Sequence, residues 1–348
     1  MLMLENKHLT YAYSNARVRA MRTLLLTTGQ VSELVDVEGA SSVVELLERT
    51  PYKEDLVSLS LKFRGAELVE LALARNFART AQKLVRITPE QDRPVVEAML
   101  KRWDVHNIRT ILMAKYLGKP AADLEAFLVP AGRLRQREIK AMADAEGVEG
   151  AISAIGSTEY GSVLKKALKQ NKTIHEMLAE LDRYYFETMS ERIMKMSSDP
   201  QVGGMLRSEI DVKNIMNVLR CKRARMEPRR IREFIIAGGN LPKQKLFDMS
   251  EDDDTAAAAA EIVKYYPLQK ALDRYREDRS LARLEIALES MIAERGLRAL
   301  RRSILSLGAI IGFLYLKEQE IGNVRKVMRG KEFGMDREKI KEMIITAG

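Results

Sequence analysis

The sequence predicts an all-α protein built from three copies of one helical module. The 348 residues contain only 9 prolines and 6% aromatic residues, whereas Ala, Leu, Met, Glu, Lys and Arg, which form helices well, are abundant. No stretch shows the strict alternation of apolar and polar residues that is typical of a strand. A short segment centred on an asparagine also recurs along the chain at nearly constant spacing.

The recurring segment centres on Asn107, Asn214 and Asn323, and a shorter echo near the start of the chain centres on Asn15. The separations are 214 − 107 = 107 residues and 323 − 214 = 109 residues. Repeats of this length are much longer than the usual solenoid period of about 20–50 residues. We therefore interpret them as duplicated domains.

The first two copies stay in register beyond the asparagine. Asp104 and Asp211 stand three residues before it, and Gly132 and Gly239 stand 25 residues after it. We expect the loops near these glycines, and near Gly29 in the opening copy, to occupy corresponding places in the three modules. The other matched positions are Phe127 with Phe234, Leu134 with Leu241, and Tyr160 with Tyr266, with Tyr52 in the opening copy.

At about 150 residues per domain, a chain of 348 residues is expected to form two or three domains. The repeat favours three. The predicted domains are residues 1–90 together with the closing segment 322–348, residues 91–200, and residues 201–321.

Helical periodicity, together with start and stop residues, divides these domains into helices. The acidic run at 251–254 precedes five alanines and favours a helix start, because carboxylates complement the helix dipole there. We predict breaks near Gly296 and Gly312. The predicted helices cover residues 9–26, 43–49, 56–87, 94–117, 120–129, 134–144, 148–155, 174–196, 206–224, 231–236, a segment after 254, 281–292, 298–329 and 336–345.

The net charge of +9 permits a nucleic acid, an anionic membrane surface or an acidic protein as partner and selects none of them. Cys221 is the only cysteine, which excludes a disulfide framework and fits a reducing cytoplasm. We expect no secretory or transit segment. The longest apolar run, residues 304–316, is shorter than the roughly 20 residues that span a bilayer.

The repeated asparagine has two interpretations. It can be a structural amide in mid-helix, because buried amides persist only when they are hydrogen-bonded. It can also be a polar contact on a surface that the modules share. Asp104 and Asp211 lie one turn upstream on the same side of the helix. An Asp–Asn pair could form part of a metal site, but no further ligand is apparent.

Residue types that carry chemistry form no known pattern. His8, His106 and His175 lack metal-ligand spacing, and neither a phosphate-binding loop nor a nucleophile elbow is present. A lone helical cysteine such as Cys221 usually serves packing. We therefore expect no catalytic residue, cofactor, metal or small-molecule ligand.

One cluster of arginines is dense enough to be a docking surface for an acidic partner or anionic headgroups, or else a solvated rim. Aromatic residues do not interleave with it, so stacking on single-stranded nucleic acid is poorly supported. The cluster consists of Arg223, Arg225, Arg229, Arg230 and Arg232.

Three stretches resemble a known family, the C subunit of archaeal and bacterial A/V-type ATP synthases. They are residues 11–21 (YAYSNARVRAM), 103–108 (WDVHNI) and 311–325 (IGFLYLKEQEIGNVR). The d subunit of eukaryotic V-type ATPases is similar but more distant. The resemblance implies a funnel of three similar helical domains around a pseudo-threefold axis.

The resemblance also implies a role without chemistry. A protein of this family sits in the central stalk at the cytoplasmic face of the membrane and couples the axle subunits to the proteolipid ring. It transmits torque during ion-driven ATP synthesis or ATP-driven ion pumping. The basic charge leaves one alternative, a helical scaffold that binds nucleic acid, and scattered carboxylates leave a weaker one, a hydrolase with a non-standard site.

Overall fold

The computed structural model of the chain describes residues 2–197, 199–252, 254–303 and 305–345. Every regular element in these ranges is helical, which confirms the predicted fold class. The acidic run at 251–254 includes Asp253 and the apolar run at 304–316 includes Ile304, and both residues lie outside the described ranges. The same holds for Ser198 and for residues 1 and 346–348 of the predicted domains.

The first half of the chain forms ten α-helices and two 3-10 segments, Glu90–Asp92 and Ala121–Phe127. The helices are α1 (Leu2–Arg22), α2 (Thr28–Asp36), α3 (Gly39–Leu47), α4 (Lys53–Leu59), α5 (Gly65–Ile87), α6 (Arg93–Leu100), α7 (Arg102–Tyr116), α8 (Gln136–Asp144), α9 (Gly147–Ala154) and α10 (Glu159–Lys169).

The second half contains one π-helical segment, Tyr184–Met189, between its first two helices. The helices are α11 (Ile174–Arg183), α12 (Ser190–Met196), α13 (Pro200–Arg223), α14 (Pro228–Arg232), α15 (Lys243–Glu251), α16 (Thr255–Val263), α17 (Gln269–Asp278), α18 (Leu281–Arg302), α19 (Leu307–Glu332) and α20 (Arg337–Met343). Within the described residues, no helix combines the length and the apolarity that crossing a bilayer requires.

The repeated asparagines lie in α7, α13 and α19, and these three helices end in the same way. A residue with positive φ stands eleven positions after each asparagine: Gly118 at 67°, Arg225 at 56° and Gly334 at 62°. Left-handed residues of this kind close helix C-termini because they turn the chain while satisfying the last carbonyl groups. Glycine adopts this conformation without strain, and Arg225 is the one non-glycine residue of the three.

Among the described residues, the buried apolar side chains form three clusters. The second cluster draws on residues 105–189 and the third on residues 215–288. The first cluster joins the two ends of the chain, because it contains residues 11–131 together with residues 193–340. It therefore takes in α6 and part of α18, which lie beyond the boundaries predicted for the first domain. The division into three domains stays a prediction.

The predicted breaks at Gly296 and Gly312 are wrong, because each glycine lies inside a continuous helix. These glycines allow α18 and α19 to pack closely: a Cβ atom on Gly312 would lie 2.5 Å from the carbonyl oxygen of Gly296. The break instead falls between the two helices, after Arg302. The sequence pattern also missed α2, α10, α15 and α17, which are short; α17, for example, buries only Leu272 and Tyr275 among mostly charged neighbours.

Candidate functional site

Three of the four repeated asparagines make the same pair of hydrogen bonds. Each side-chain amide donates to the carbonyl of the residue 22 positions later and accepts the N–H of that residue. Asn107 makes this pair with Val129, both at 2.8 Å, and Asn214 makes it with Ile236, both at 2.8 Å. Asn323 makes it with Ile345, at 2.7 and 2.9 Å.

The paired segments explain why an amide stands there. Val129, Ile236 and Ile345 lie outside helices, so their backbone groups have no helical partner. Buried backbone groups need hydrogen bonds, and an asparagine offers one donor and one acceptor side by side. Each amide thus supplies hydrogen bonds that secondary structure would otherwise provide, and it anchors a non-helical segment to its helix.

A carboxylate one turn before the asparagine anchors the next loop. Asp104 accepts the N–H groups of Arg133 and Leu134, both at 2.9 Å. Asp211 accepts the N–H groups of Asn240 at 3.0 Å and of Leu241 at 2.9 Å. Each carboxylate therefore holds a loop that begins just after a glycine.

The glycines are required by close approach. A Cβ atom on Gly132 would lie 2.1 Å from Oδ1 of Asp104, and one on Gly239 would lie 2.2 Å from Oδ1 of Asp211. At Gly29 the nearest atom would be 3.9 Å away, in Thr27, so Gly29 does not share this constraint.

A buried tyrosine completes each arrangement. Tyr160 donates its hydroxyl to Asp104 at 2.9 Å, and Tyr266 donates to Asp211 at 2.5 Å. Burial raises the pKa of both phenols, and the neighbouring carboxylates act in the same direction. Burial also raises the pKa of Asp104, although the hydrogen bonds from Arg133, Leu134 and Tyr160 oppose it. We call Asn107, Asp104 and Tyr160 motif A, and Asn214, Asp211 and Tyr266 motif B.

A third motif is assembled from both halves of the chain. Glu320 stands three residues before Asn323, and it accepts the hydroxyl of Tyr52 at 2.6 Å and the N–H of Leu26. Lys317 donates to Glu320 at 2.6 Å and to the Tyr52 hydroxyl at 3.0 Å. We call Asn323, Glu320 and Tyr52 motif C.

Sequence reasoning missed Glu320 and Lys317, although Glu320 occupies the same position relative to its asparagine as Asp104 and Asp211. Two features of the sequence could have identified Glu320. It is a carboxylate at the position of Asp104 and Asp211, although with a longer side chain, and Tyr52 was already matched to Tyr160 and Tyr266. Asn15 has a different partner: its amide donates to the carbonyl of Ser306 at 3.3 Å, and its Oδ1 has no partner among the described residues.

The arginine cluster lies apart from the motifs, at the end of α13 and along α14. Arg230 pairs with Glu176 at 2.6 Å, and Arg232 pairs with Glu251. Arg223, Arg225 and Arg229 are exposed. Arg230 is exposed as well, but Arg230 and Arg232 pair with carboxylates of neighbouring helices. Among the described residues, Arg223, Arg225 and Arg229 are therefore the exposed members of the cluster without such an ion pair.

Two of the remaining candidates for chemistry, His106 and Cys221, serve packing. His106 stacks edge-on against Trp103 with ring centroids 5.3 Å apart, and burial lowers its pKa to about 4. Burial raises the pKa of the Cys221 thiol, which works against a reactive thiolate. In the described ranges no three His, Cys, Asp or Glu side chains gather as metal ligands. The motif carboxylates accept hydrogen bonds from N–H and O–H donors, which suits them to hold loops in place.

Comparison with known proteins gives consistent matches along the chain. The profile of the ATP synthase (C/AC39) subunit family matches residues 14–343. The chain is 29% identical over 350 residues to the C subunit of the A-type ATP synthase of Thermoplasma acidophilum, a match that covers 97% of this chain and 98% of that protein. It is 30% identical to that of Pyrococcus abyssi and 31% identical to that of Thermococcus onnurineus, in each case over 342 residues that cover 97% of this chain and 91% of the relative.

Proposed function

The chain belongs to the ATP synthase (C/AC39) subunit family, and from that premise we propose that it is the central-stalk protein that couples the axle subunits to the membrane proteolipid ring. In this role it transmits torque during ion-driven ATP synthesis or ATP-driven ion pumping. It is bound peripherally at the cytoplasmic face of the membrane and performs no chemistry of its own.

The observation that carries the proposal is the threefold recurrence of the polar motif. Motifs A, B and C use equivalent residues of α7, α13 and α19 to fix a loop and a non-helical segment to each helix. This recurrence supports three similar helical domains arranged as a funnel around a pseudo-threefold axis. Such a body can receive an axle along the axis and rest on a ring below it.

An adaptor that transmits torque must not deform internally. The motifs support that requirement, because each anchors non-helical segments through buried hydrogen bonds, and buried networks become rigid when every member is satisfied. The adaptor must also resist slipping at both faces. Large contact areas achieve this better than a few strong pairs, and specific interfaces begin at about 1,000 Å².

Co-purification tests the proposal. We expect the tagged chain, extracted with its membranes in mild detergent, to bring down both the axle subunits and the proteolipid ring. The proposal fails if the chain is recovered without either of them. An isolated chain that hydrolyses ATP would also contradict the non-catalytic role.

The exposed arginines give a sharper test of one docking surface. The variant Arg223→Glu/Arg225→Glu/Arg229→Glu reverses three exposed charges and is expected to reduce the recovered partners about tenfold, which corresponds to roughly 1.4 kcal/mol of binding. The control, Lys270→Glu/Arg274→Glu, reverses two exposed charges on α17 of the same cluster of helices. Equal recovery from both variants would show that the arginine cluster is only a solvated rim.

The same variants address the alternative of a scaffold that binds nucleic acid. Phosphate contacts make affinity fall steeply as salt concentration rises. A salt-dependent gel shift of the isolated chain that the triple variant abolishes would favour nucleic acid over the rotary complex.

A further inference from the structure

Three charged residues occupy the same position in the three repeats. Arg102 precedes Asn107 by five residues, Glu209 precedes Asn214 by five, and Glu318 precedes Asn323 by five. Because motifs A, B and C make these asparagines equivalent, the three charged residues are equivalent as well. Their chemistry is nevertheless unequal: one position carries a cation and two carry anions.

The three side chains meet. Nη1 of Arg102 contacts Glu209, and it also lies 3.5 Å from Oε2 of Glu318. The contacts join α7 to α13 and α19, the three helices that carry the repeated asparagines. Equivalent residues of three copies can all touch only where the copies come together. We call Arg102, Glu209 and Glu318 the axial cluster.

Neighbouring side chains fix the geometry of the axial cluster. Trp103 donates its indole N–H to Oε1 of Glu318 at 2.9 Å, and Arg102 donates through Nη2 to the Tyr315 hydroxyl at 3.2 Å. The guanidinium also donates through Nε to the carbonyl of Met99 at 3.0 Å. Arg102 therefore uses all three of its nitrogens, as its rigid fork of donors allows.

The axial cluster is largely shielded from water. The side chains of Arg102, Glu209 and Glu318 are 16%, 14% and 17% exposed. Charges that meet in such a place interact far more strongly than at a surface. Three identical residues would repel one another there, whereas one arginine between two glutamates attracts both.

We propose that the axial cluster marks the pseudo-threefold axis of the chain, and that its unequal charges hold the three repeats together and distinguish one copy from the others. The repeats share the motifs and differ at this point. Of the three copies, the one that contains α7 carries the arginine. If either of the other two copies took its place, a third glutamate would stand on the axis. This inference concerns how the chain is assembled, and it does not depend on the proposed function.

Charge exchange between equivalent positions tests the proposal on the purified chain. The variant Arg102→Glu places three glutamates on the axis and is expected to lower Tm by about 10 °C, since removal of one partner leaves buried charges unpaired. The variant Glu209→Arg is expected to cause a loss of similar size. The exchange Arg102→Glu/Glu209→Arg restores one arginine and two glutamates, and Tm is expected to return to within about 4 °C of the parent.

A second exchange, Arg102→Glu/Glu318→Arg, must recover in the same way, because the axis relates all three positions. An exposed pair provides the matched control: Arg220 and Glu285, 2.7 Å apart and 51% and 36% exposed, join α13 to α18. Reversing either member of that pair is expected to change Tm by about 2 °C or less.

The outcomes separate cleanly. Recovery in both exchanges supports the proposal. Exchanges that are as unstable as the sum of their single variants overturn it, because the positions would then not be equivalent. Where a single variant is insoluble, the readout is the yield of soluble monomer: an exchange recovered as monomer supports the axis, and an exchange that stays insoluble overturns it.

Discussion

The hydrogen bonds of motif B join residues that lie at most 55 positions apart in the sequence, whereas those of motif C join residues 268 and 294 positions apart. Both end in the same geometry, with a carboxylate on the asparagine helix that accepts a tyrosine hydroxyl and a loop N–H. By loop-closure scaling, the longer separation in motif C costs about 1.4 kcal/mol more chain entropy. The comparison teaches that one polar arrangement can be built locally or across the whole chain.

The two motifs also differ in how their carboxylate is satisfied. Among the described residues, the donors to Asp211 in motif B are all neutral. They are the N–H groups of Asn240 and Leu241, the Asn240 side chain at 2.8 Å, and Tyr266. Glu320 in motif C has a lysine against it. Lys317 is buried and lies 4.5 Å from the centre of the Tyr52 ring. The motif with the larger entropic cost is thus also the one that carries a buried ion pair.

The largest expected effect is the loss of that lysine. Lys317→Met leaves Glu320 buried without its cation and is expected to lower the free energy of unfolding by about 3–5 kcal/mol. Urea denaturation measures the loss. The double variant Lys317→Met/Glu320→Gln, which leaves no unpaired charge, is expected to recover most of it.

Lys101 provides the matched control, because it stands three residues before Asp104 just as Lys317 stands three before Glu320. Lys101 pairs with Glu159 at 2.5 Å, and these side chains are 12% and 27% exposed, whereas Lys317 and Glu320 are each 5% exposed. Because Glu159 keeps more contact with water than Glu320, Lys101→Met is expected to cost about 1–2 kcal/mol, less than Lys317→Met. Equal losses in the two variants would remove the distinction between motif A and motif C.

The next largest effect is expected at the glycines whose backbone lies against the motif carboxylates. Gly132→Ala and Gly239→Ala place a methyl group against a buried carboxylate and are expected to lower the free energy of unfolding by about 3 kcal/mol each. Gly29→Ala, where space is open, should change it by less than about 0.5 kcal/mol. Thermal unfolding of the three variants measures this. A sizeable loss in Gly29→Ala would mean that the first turn of α2, where Gly29 lies, is as crowded as the loops at Gly132 and Gly239.

Replacing each repeated asparagine by alanine compares how much the four copies contribute to the free energy of unfolding. Asn107→Ala, Asn214→Ala and Asn323→Ala each leave a buried N–H unpaired, and Asn214→Ala also removes the donor to the Ile236 carbonyl. The carbonyls of Val129 and Ile345 keep a second donor, the N–H of Ala131 and the side chain of Gln319. The expected loss is therefore about 2–3 kcal/mol for Asn214→Ala and about 2 kcal/mol for the other two variants. Asn15→Ala removes one long hydrogen bond and a carbonyl oxygen without a partner, so its expected loss is about 1 kcal/mol. If all four losses are equal, the echo around Asn15 is a full member of the repeat.

The smallest expected effect is a pH dependence at the axial cluster. Burial raises the pKa of Glu318, and the nearby Glu209 carboxylate adds to this while Arg102 opposes it. Ionisation of an acid whose folded pKa is raised weakens the folded state. The free energy of unfolding should therefore fall as pH rises from the ordinary value of 4.5 through the folded pKa of Glu318.

Glu318→Gln is expected to remove that part of the pH profile, measured by urea denaturation between pH 4 and pH 8. The other titratable groups that interact with Glu318 are Arg102, Glu209 and Tyr185, and Tyr315 contacts Arg102 beside it. The control Glu294→Gln changes an exposed residue of α18 and should leave the profile intact. An unchanged profile in Glu318→Gln would contradict the assignment to this carboxylate.

The fold class and several residues of motifs A and B could be predicted from the sequence. The constant offsets identified Asn107, Asn214 and Asn323, and the register of Asp104 with Asp211 and of Gly132 with Gly239 followed from the same alignment. The all-α class followed from composition and periodicity. The bonds from each amide to a residue 22 positions later could not be predicted. The sequence pattern placed Val129, Ile236 and Ile345 at the ends of predicted helices, whereas the helical segments end earlier, at Phe127, Arg232 and Met343. No local pattern identifies a distant amide as the partner of the backbone groups that this sets free.

Motif C was hidden for a different reason. Its carboxylate is a glutamate, and its tyrosine and loop come from the other end of the chain, so no single stretch contains it. The helix breaks predicted at Gly296 and Gly312 failed because glycine has two uses. It can end a helix, or it can let two helices approach, and only the contact between α18 and α19 decides between them.

The long separation in motif C has a consequence for synthesis on the ribosome. Leu26 cannot reach its acceptor until 294 further residues have been translated, which takes about 15–60 s at about 5–20 residues per second. During that interval the nascent N-terminal helices lack the helix they pack against, while motifs A and B can close as they emerge. The amino-terminal helices therefore wait longest for their packing partner, and motif C is completed last although its first residues are made first.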